Sequence, residues 1–352
     1  MRTVTLLVML LSPLEPLGPG GSPKPSPATA LLEKGSDLFK QGNTPAALKA
    51  FEAAAKADPA DPRPAYLRGV ALEKEGDLPG AEAAYRKAIG LKTDFAEAHN
   101  NLGSLLQAKG KSSDAAREFE TAVHARPAYP EALFNLGVAR DAEGKGALAV
   151  AAYREAVLQK PSDAAYRLNL GVALRKQGDV TAAMASLKEA TRLAPRDALM
   201  WTNLGMIQSD AKAYDAAAES LERAVKLKDD SGLAWNRLAR VALRRKQIDR
   251  AVEAAARARK LEPKSAPFAA DLCHALIEKR DTAQAVTECR AAVALDTKSP
   301  LASYELGKAL VAKGDCAAAR KELERFGSLP GVKPEAKTQA NVIARSCAKP
   351  TP

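Results

Sequence analysis

AEAHNNLGSLLQAKGKSSDAAREFETAVHARPAY, residues 96–129, is followed without a gap by PEALFNLGVARDAEGKGALAVAAYREAVLQKPSD, residues 130–163. Laid one over the other, the stretches pair Gly103 with Gly137, Gly110 with Gly144, Ala115 with Ala149, Phe119 with Tyr153, Ala122 with Ala156 and Pro127 with Pro161. Every pair is 34 residues apart, and recurrence at a fixed period of this length marks stacked supersecondary units.

Outward from this pair the first column runs Gly35, Gly69, Gly103, Gly137, Gly171 and Gly205, continues as Ala239 and Cys273, and returns to Gly307. The column of large side chains runs Phe51, Tyr85, Phe119, Tyr153, Leu187 and Leu221, then Ala255, Cys289 and Leu323. Alanine columns extend from Ala47 to Ala319 and from Ala54 to Ala292. Small residues let two antiparallel helices approach, and the large column fills the space between one hairpin and the next. Gly42, Gly76, Gly110, Gly144, Gly178 and Gly314 stand where a first helix ends in a left-handed residue. Pro59, Pro127, Pro161, Pro195 and Pro263 stop second helices. One hairpin cannot bury both faces, so stability has to come from stacking neighbours.

The columns resemble a known family, the tetratricopeptide repeats. Trp201, Leu204 and Gly205 reproduce the opening of its pattern, and Leu102, Gly103, Ala115, Phe119 and Pro127 carry most of the rest. The resemblance implies an all-α solenoid: a right-handed superhelix of nine 34-residue helix–turn–helix repeats, with a concave groove lined by first helices and a C-terminal capping helix. Residues 1–21 read as an export signal, 22–27 as a Pro/Ser-rich linker, 28–333 as the nine repeats, 334–348 as the cap and 349–352 as a tail. Repeats seven and eight lack the glycine and the large residue, and looser packing is expected there.

Composition agrees with thin, helix-rich packing. Apolar residues make up 46% but aromatics only 5%, so alanine and leucine must supply most of the core. The N-terminal reading rests on Arg2 before an apolar run, Val4 to Leu11, and a Pro/Gly stretch after it. The run is too short to span a bilayer. Cleavage near Gly20-Gly21 and after Ala28-Thr29-Ala30 both remain open. The alternative is an N-terminal tail on a cytoplasmic protein.

Catalytic chemistry finds no carrier in the sequence. The three histidines, His99, His124 and His274, have no neighbours at metal-ligand spacing, so neither metal nor cofactor is expected. Gly110-Lys111-Ser112 imitates the end of a phosphate loop, but that motif needs glycine where Leu105 stands. An enzyme and a small-molecule substrate are therefore not expected. The four cysteines are all late. Cys273 and Cys289 occupy facing columns of one hairpin, while Cys316 opens a second helix beside the end of the cap at Cys347. The even count and the export signal favour disulfides 273–289 and 316–347 over four buried thiols.

Two residues before the glycine column, Asn101, Asn135, Asn169 and Asn203 recur in four consecutive repeats. An asparagine amide carries a donor and an acceptor, matching a peptide group. The column resembles the asparagine ladder in the repeats of O-linked N-acetylglucosamine transferases, whose catalytic domain this chain lacks; the resemblance implies a grip on an extended peptide. Phe134, Val138, Leu168, Val172 and Met206 are expected to line the same groove, with Arg237, Arg240 and Arg244 forming a basic stripe at i, i+3 and i+7. Residues 232–265 hold ten basic and three acidic residues, +7 of the chain's net +11. The expected function is a peptide- or protein-binding scaffold in an envelope or secretion complex, membrane-associated or not, whose partner carries an acidic segment. The alternative is a polyanion binder, for nucleic acid or acidic polysaccharide, acting through repeat seven.

Overall fold

The computed structural model describes residues 26–347 and places nineteen α-helices and no strand among them. The expected export signal, most of the linker and the tail lie outside the described residues. The chain divides after Pro127 into two compact units, each built from antiparallel hairpins. The first holds α1 (Pro27–Lys40), α2 (Thr44–Ala57), α3 (Arg63–Glu75), α4 (Leu78–Leu91), α5 (Ala96–Ala108) and α6 (Ser112–Ala125). The second begins with α7 (Pro130–Ala142), α8 (Gly146–Gln159), α9 (Ala164–Lys176), α10 (Val180–Leu193), α11 (Ala198–Asp210) and α12 (Tyr214–Leu227). It continues through α13 (Gly232–Arg244), α14 (Ile248–Leu261), α15 (Ala266–Glu278), α16 (Thr282–Leu295), α17 (Pro300–Lys313), α18 (Cys316–Ser328) and α19 (Pro334–Ser346). Odd-numbered helices up to α17 are the first helices of their repeats. In the second unit α11 touches α13, α13 touches α15 and α15 touches α17, so first helices alone make one continuous face. No helix among the described residues is long and apolar enough to cross a membrane.

Short polar residues start the helices. Asp77, Asp179, Asp281 and Asp315 accept bonds from the backbone N–H three residues on, and Ser231, Ser265 and Ser299 do the same for α13, α15 and α17. Each satisfies a donor the helix itself cannot. The turn inside a repeat needs one left-handed residue, and the six turn glycines supply it with φ between 75° and 84°. In three repeats the position falls to Lys212, Lys246 and Arg280, at φ 60°, 59° and 65°. A Cβ is disfavoured there. Replacing any of the three by glycine is expected to raise stability by about 0.5–1 kcal/mol, after allowing for the looser unfolded chain. Urea unfolding of each variant checks this, and a lowered midpoint contradicts it.

The interior explains the columns. A Cβ on Gly69 would lie 2.6 Å from the Tyr85 ring, one on Gly137 2.5 Å from Tyr153, and one on Gly171 2.6 Å from Leu187. The large side chain occupies the space the glycine leaves. Where the glycine becomes Ala239 the residue across the hairpin is Ala255, and Cys273 likewise faces Cys289; all four are at most 1% exposed. One wall gains a Cβ and the other loses its large side chain, and both walls remain buried.

At the C-terminal end Leu323 and Phe326 of α18 bury Ala340 and Ala344 of α19, with Tyr304 and Ile343 alongside. Cys316 and Cys347 join the two helices with Cα atoms 5.4 Å apart, and Cys273 and Cys289 join α15 to α16 at 5.3 Å. Both separations suit a bridge. The outer bridge spans a sequence separation of 31, which corresponds to about 3–4 kcal/mol on the chain-entropy model. Non-reducing peptide mapping of oxidised protein is expected to recover both pairs linked. Reduction should then speed amide exchange in α19 before any other helix of the second unit. Free thiols throughout would rule the bridges out.

Candidate functional site

On a helix, two residues amount to about 200°, so the column two before the glycine points away from the partner helix. In the second unit this column reads Asn135, Asn169, Asn203, Arg237, Asp271 and Glu305, on α7, α9, α11, α13, α15 and α17. Asn169 Nδ2 donates to the Ala165 carbonyl and Asn203 Nδ2 to the Leu199 carbonyl, each at 2.9 Å. The bond one turn back holds each amide on its own helix. Its Oδ1 and second N–H have no protein partner among the described residues. Asn135 is half-buried at the equivalent position.

Asn101 belongs to the first unit and is held differently. Its Nδ2 lies 3.4 Å from both the Tyr66 and Tyr85 hydroxyls, and its Oδ1 accepts from Asn100 at 3.3 Å. The Tyr85 hydroxyl donates in turn to Glu73 at 2.6 Å. Both donors and an acceptor are consumed inside the unit. Asn101 is thus tied to the preceding hairpin, where Asn169 and Asn203 bond only to their own helices.

Among the expected lining residues, Val138, Val172 and Met206 are half-buried on the first-helix face. Phe134 stacks on Tyr166 with centroids 4.8 Å apart and tilts against Tyr153 at 5.7 Å, so part of its ring is spent on packing between repeats. Leu168 is buried in the core cluster with Leu170 and Leu174 and does not line an open surface. Apolar surface comes instead from Leu199, Leu233 and Leu301, which are 51%, 39% and 50% exposed. They sit four residues before Asn203, Arg237 and Glu305, hence on the same face. Following the column back by one turn would have found them in the sequence.

The seven arginines of the basic repeat separate into two populations. Arg245 pairs with Asp215, Arg250 with Glu222 and Glu253, Arg257 with Asp229 and Arg259 with Glu288. Arg250 also lies over the Trp235 ring, whose indole N–H donates to the Asp229 carbonyl at 2.8 Å. Arg237, Arg240 and Arg244 instead line a pocket of about 210 Å³ on the first-helix face. Met206, Ser209 and Tyr214 contribute to it, and so does Arg175, which reaches in from α9 and is paired with Asp210. Burial, then the like charges of Arg240 and Arg175, press the Arg237 guanidinium below its ordinary value. Arg175, Ser209 and Tyr214 were not anticipated, since they come from other repeats.

Two of the histidines lie beside glutamates. His99 is buried, with Nδ1 2.6 Å from Glu118 and Nε2 3.0 Å from the Thr93 carbonyl, and His274 Nδ1 lies 3.2 Å from Glu305. No group of three or more metal-capable side chains comes together among the described residues.

Comparison with known proteins agrees with this architecture. A family model for the tetratricopeptide repeat matches residues 32–96, 100–157, 140–198, 202–267 and 271–330. No curated protein matches the chain. Among solved structures, the Cut9–Hcn1 hetero-tetramer of the APC/C is 20% identical with a TM-score of 0.55, over 81% of this chain and 56% of that one. YrrB, described as a TPR protein with an unusual peptide-binding site, is 24% identical with a TM-score of 0.50, over 53% of this chain and 96% of its own. PilF of Pseudomonas aeruginosa is 19% identical with a TM-score of 0.52, over 59% and 94%. At these identities the likeness is one of fold.

Proposed function

Because the chain belongs to the tetratricopeptide repeat family, we propose that it is a non-catalytic scaffold that holds an extended polypeptide segment on the first-helix face of its second unit. The observation that carries this reading is the state of Asn169 and Asn203. Each amide is fixed by one intrahelical bond and keeps an acceptor and a donor unused among the described residues, the pair that a ligand's peptide group needs. Main-chain recognition of this kind is indifferent to the ligand's side chains. Preference then falls to Val138, Val172, Met206 and part of Phe134, to the exposed Leu199 and Leu233, and to the basic station at Arg237, Arg240 and Arg244. The peptide-binding site named for YrrB is in keeping with such a use of the fold.

The two cysteine pairs and the apolar N-terminal run support work in an oxidising compartment outside the cytoplasm, within an envelope or secretion assembly. A polyanion reading has less behind it. Asp271 and Glu305 follow Arg237 in the same column, which interrupts any basic track, and Trp235 is already covered by Arg250, which leaves Tyr214 as the one aromatic side chain lining the arginine pocket among the described residues. Binding of a display-selected extended peptide, compared between the native chain and one with Asn135, Asn169 and Asn203 replaced by alanine, tests the proposal. A peptide held equally well by both would move the site elsewhere.

A further inference from the structure

Arg237 carries a buried, unpartnered polar atom on the first-helix face. Its Nε is closed off from water and has no acceptor among the described residues, and its neighbours Arg240 and Arg175 carry the same charge. Arg175 is answered by Asp210. Arg240 and Arg244 have no ion pair among the described residues. Asp210 lines the same pocket in its pair with Arg175, and Asp210 and Asp271 offset the crowding of Arg237 only in part. Asp271 accepts from the Asn236 amide at 2.7 Å, and Glu305 lies 3.2 Å from His274 and 3.1 Å from Lys308. A half-buried guanidinium without an acceptor is costly, and an incoming anion would supply what is missing.

The direction of the stripe indicates the kind of anion. Arg237, Arg240 and Arg244 follow the axis of α13, spread over roughly 10 Å at 1.5 Å per residue. A ligand running from one first helix to the next crosses α13 once and meets all three cations at that crossing. Three unanswered cations at one station call for one compact, multiply charged group. A run of acidic residues would spread its charges past α13 towards Asp271 and Glu305. A carboxylate brings one charge and two coplanar oxygens, whereas a phosphoryl group brings nearly two charges and three oxygens that guanidinium forks grip in pairs. The hydroxyls of Ser209 and Tyr214 line the same pocket.

We propose that the pocket formed by Arg237, Arg240 and Arg244 with Ser209 and Tyr214 binds a phosphoryl dianion, carried by a phosphorylated side chain or presented as free phosphate. The first source rests on the peptide reading above; the second does not. Calorimetric titration of the full chain with inorganic phosphate, sulfate and acetate tests the shared chemistry. Phosphate and sulfate are expected to bind, with acetate at least tenfold weaker. Arg237→Met should weaken phosphate at least tenfold and, without any anion present, raise the melting temperature because the unanswered charge is gone. The exposed pair Arg240→Ala with Arg244→Ala should weaken phosphate as strongly in a chain that still folds. Acetate binding as well as phosphate, or either variant keeping wild-type phosphate affinity, overturns the proposal. A ten-residue Gly/Ser peptide with one phosphoserine separates the sources. Affinity tenfold above inorganic phosphate assigns the group to a polypeptide, and equal affinity assigns it to free phosphate. The Asn135, Asn169 and Asn203 alanine variant should keep full affinity for inorganic phosphate, so failure of the ladder and failure of the pocket are told apart.

Discussion

Leu187→Ala is expected to cost about 2–5 kcal/mol, Gly171→Ala about 1–3 kcal/mol, and the two together less than their sum. Leu187 is fully buried, and a Cβ on Gly171 would lie 2.6 Å from its Cγ, 2.9 Å from its Cδ2 and 3.3 Å from the Ala183 carbonyl. The single glycine change overpacks the hairpin, with an offset of up to about 1 kcal/mol from alanine's better helix propensity. The single leucine change leaves a cavity. Combined, each removes part of the other's defect, and the hairpin then carries alanine on both walls as Ala239 and Ala255 already do two repeats later. A favourable coupling of about 1–2 kcal/mol is expected, within the range for residues in contact. Urea unfolding of the native chain, both singles and the double closes the cycle. Simple additivity would show that the alanine pair in repeat seven depends on neighbours outside its hairpin.

Replacing Asn135, Asn169 and Asn203 together by alanine is expected to remove about 1.5–4.5 kcal/mol of ligand affinity, taking about 0.5–1.5 kcal/mol net per hydrogen bond. That is a loss of roughly tenfold to two-thousandfold. Folding should change little, because the bonds from Asn169 and Asn203 to Ala165 and Leu199 return to carbonyls that already serve their helices. Asn101→Ala supplies the contrast. It breaks the contacts with Tyr66 and Tyr85, so thermal stability should fall while ligand affinity holds. Affinity for the selected peptide and the melting temperature, measured on all variants, give four readings. A triple variant that unfolds would make the ladder structural, and an Asn101→Ala chain that loses affinity would restore Asn101 to the site.

The period of 34 determined the helices, their turns and their pairing, because every interaction behind those features is local. The glycine column and the large column lie 16 residues apart, as Gly171 and Leu187 do, and the turn glycines act on their own backbone. Such contacts repeat in every copy and so write themselves into columns. Cysteine spacing placed 273 beside 289 and 316 beside 347 for the same reason. Column reading failed where one position meets different neighbours. Asn101 and Asn169 share a column, yet Asn101 is occupied by tyrosines from the preceding hairpin while Asn169 bonds only within its own helix. Leu168 shares a column with Phe134, but it is buried where Phe134 keeps part of its ring open. The anion pocket was the least legible feature of all. It draws Arg175, Ser209, Tyr214 and Arg237 from α9, α11, α12 and α13, residues that no single repeat contains, and the unanswered charge at Arg237 exists only once those helices are packed together.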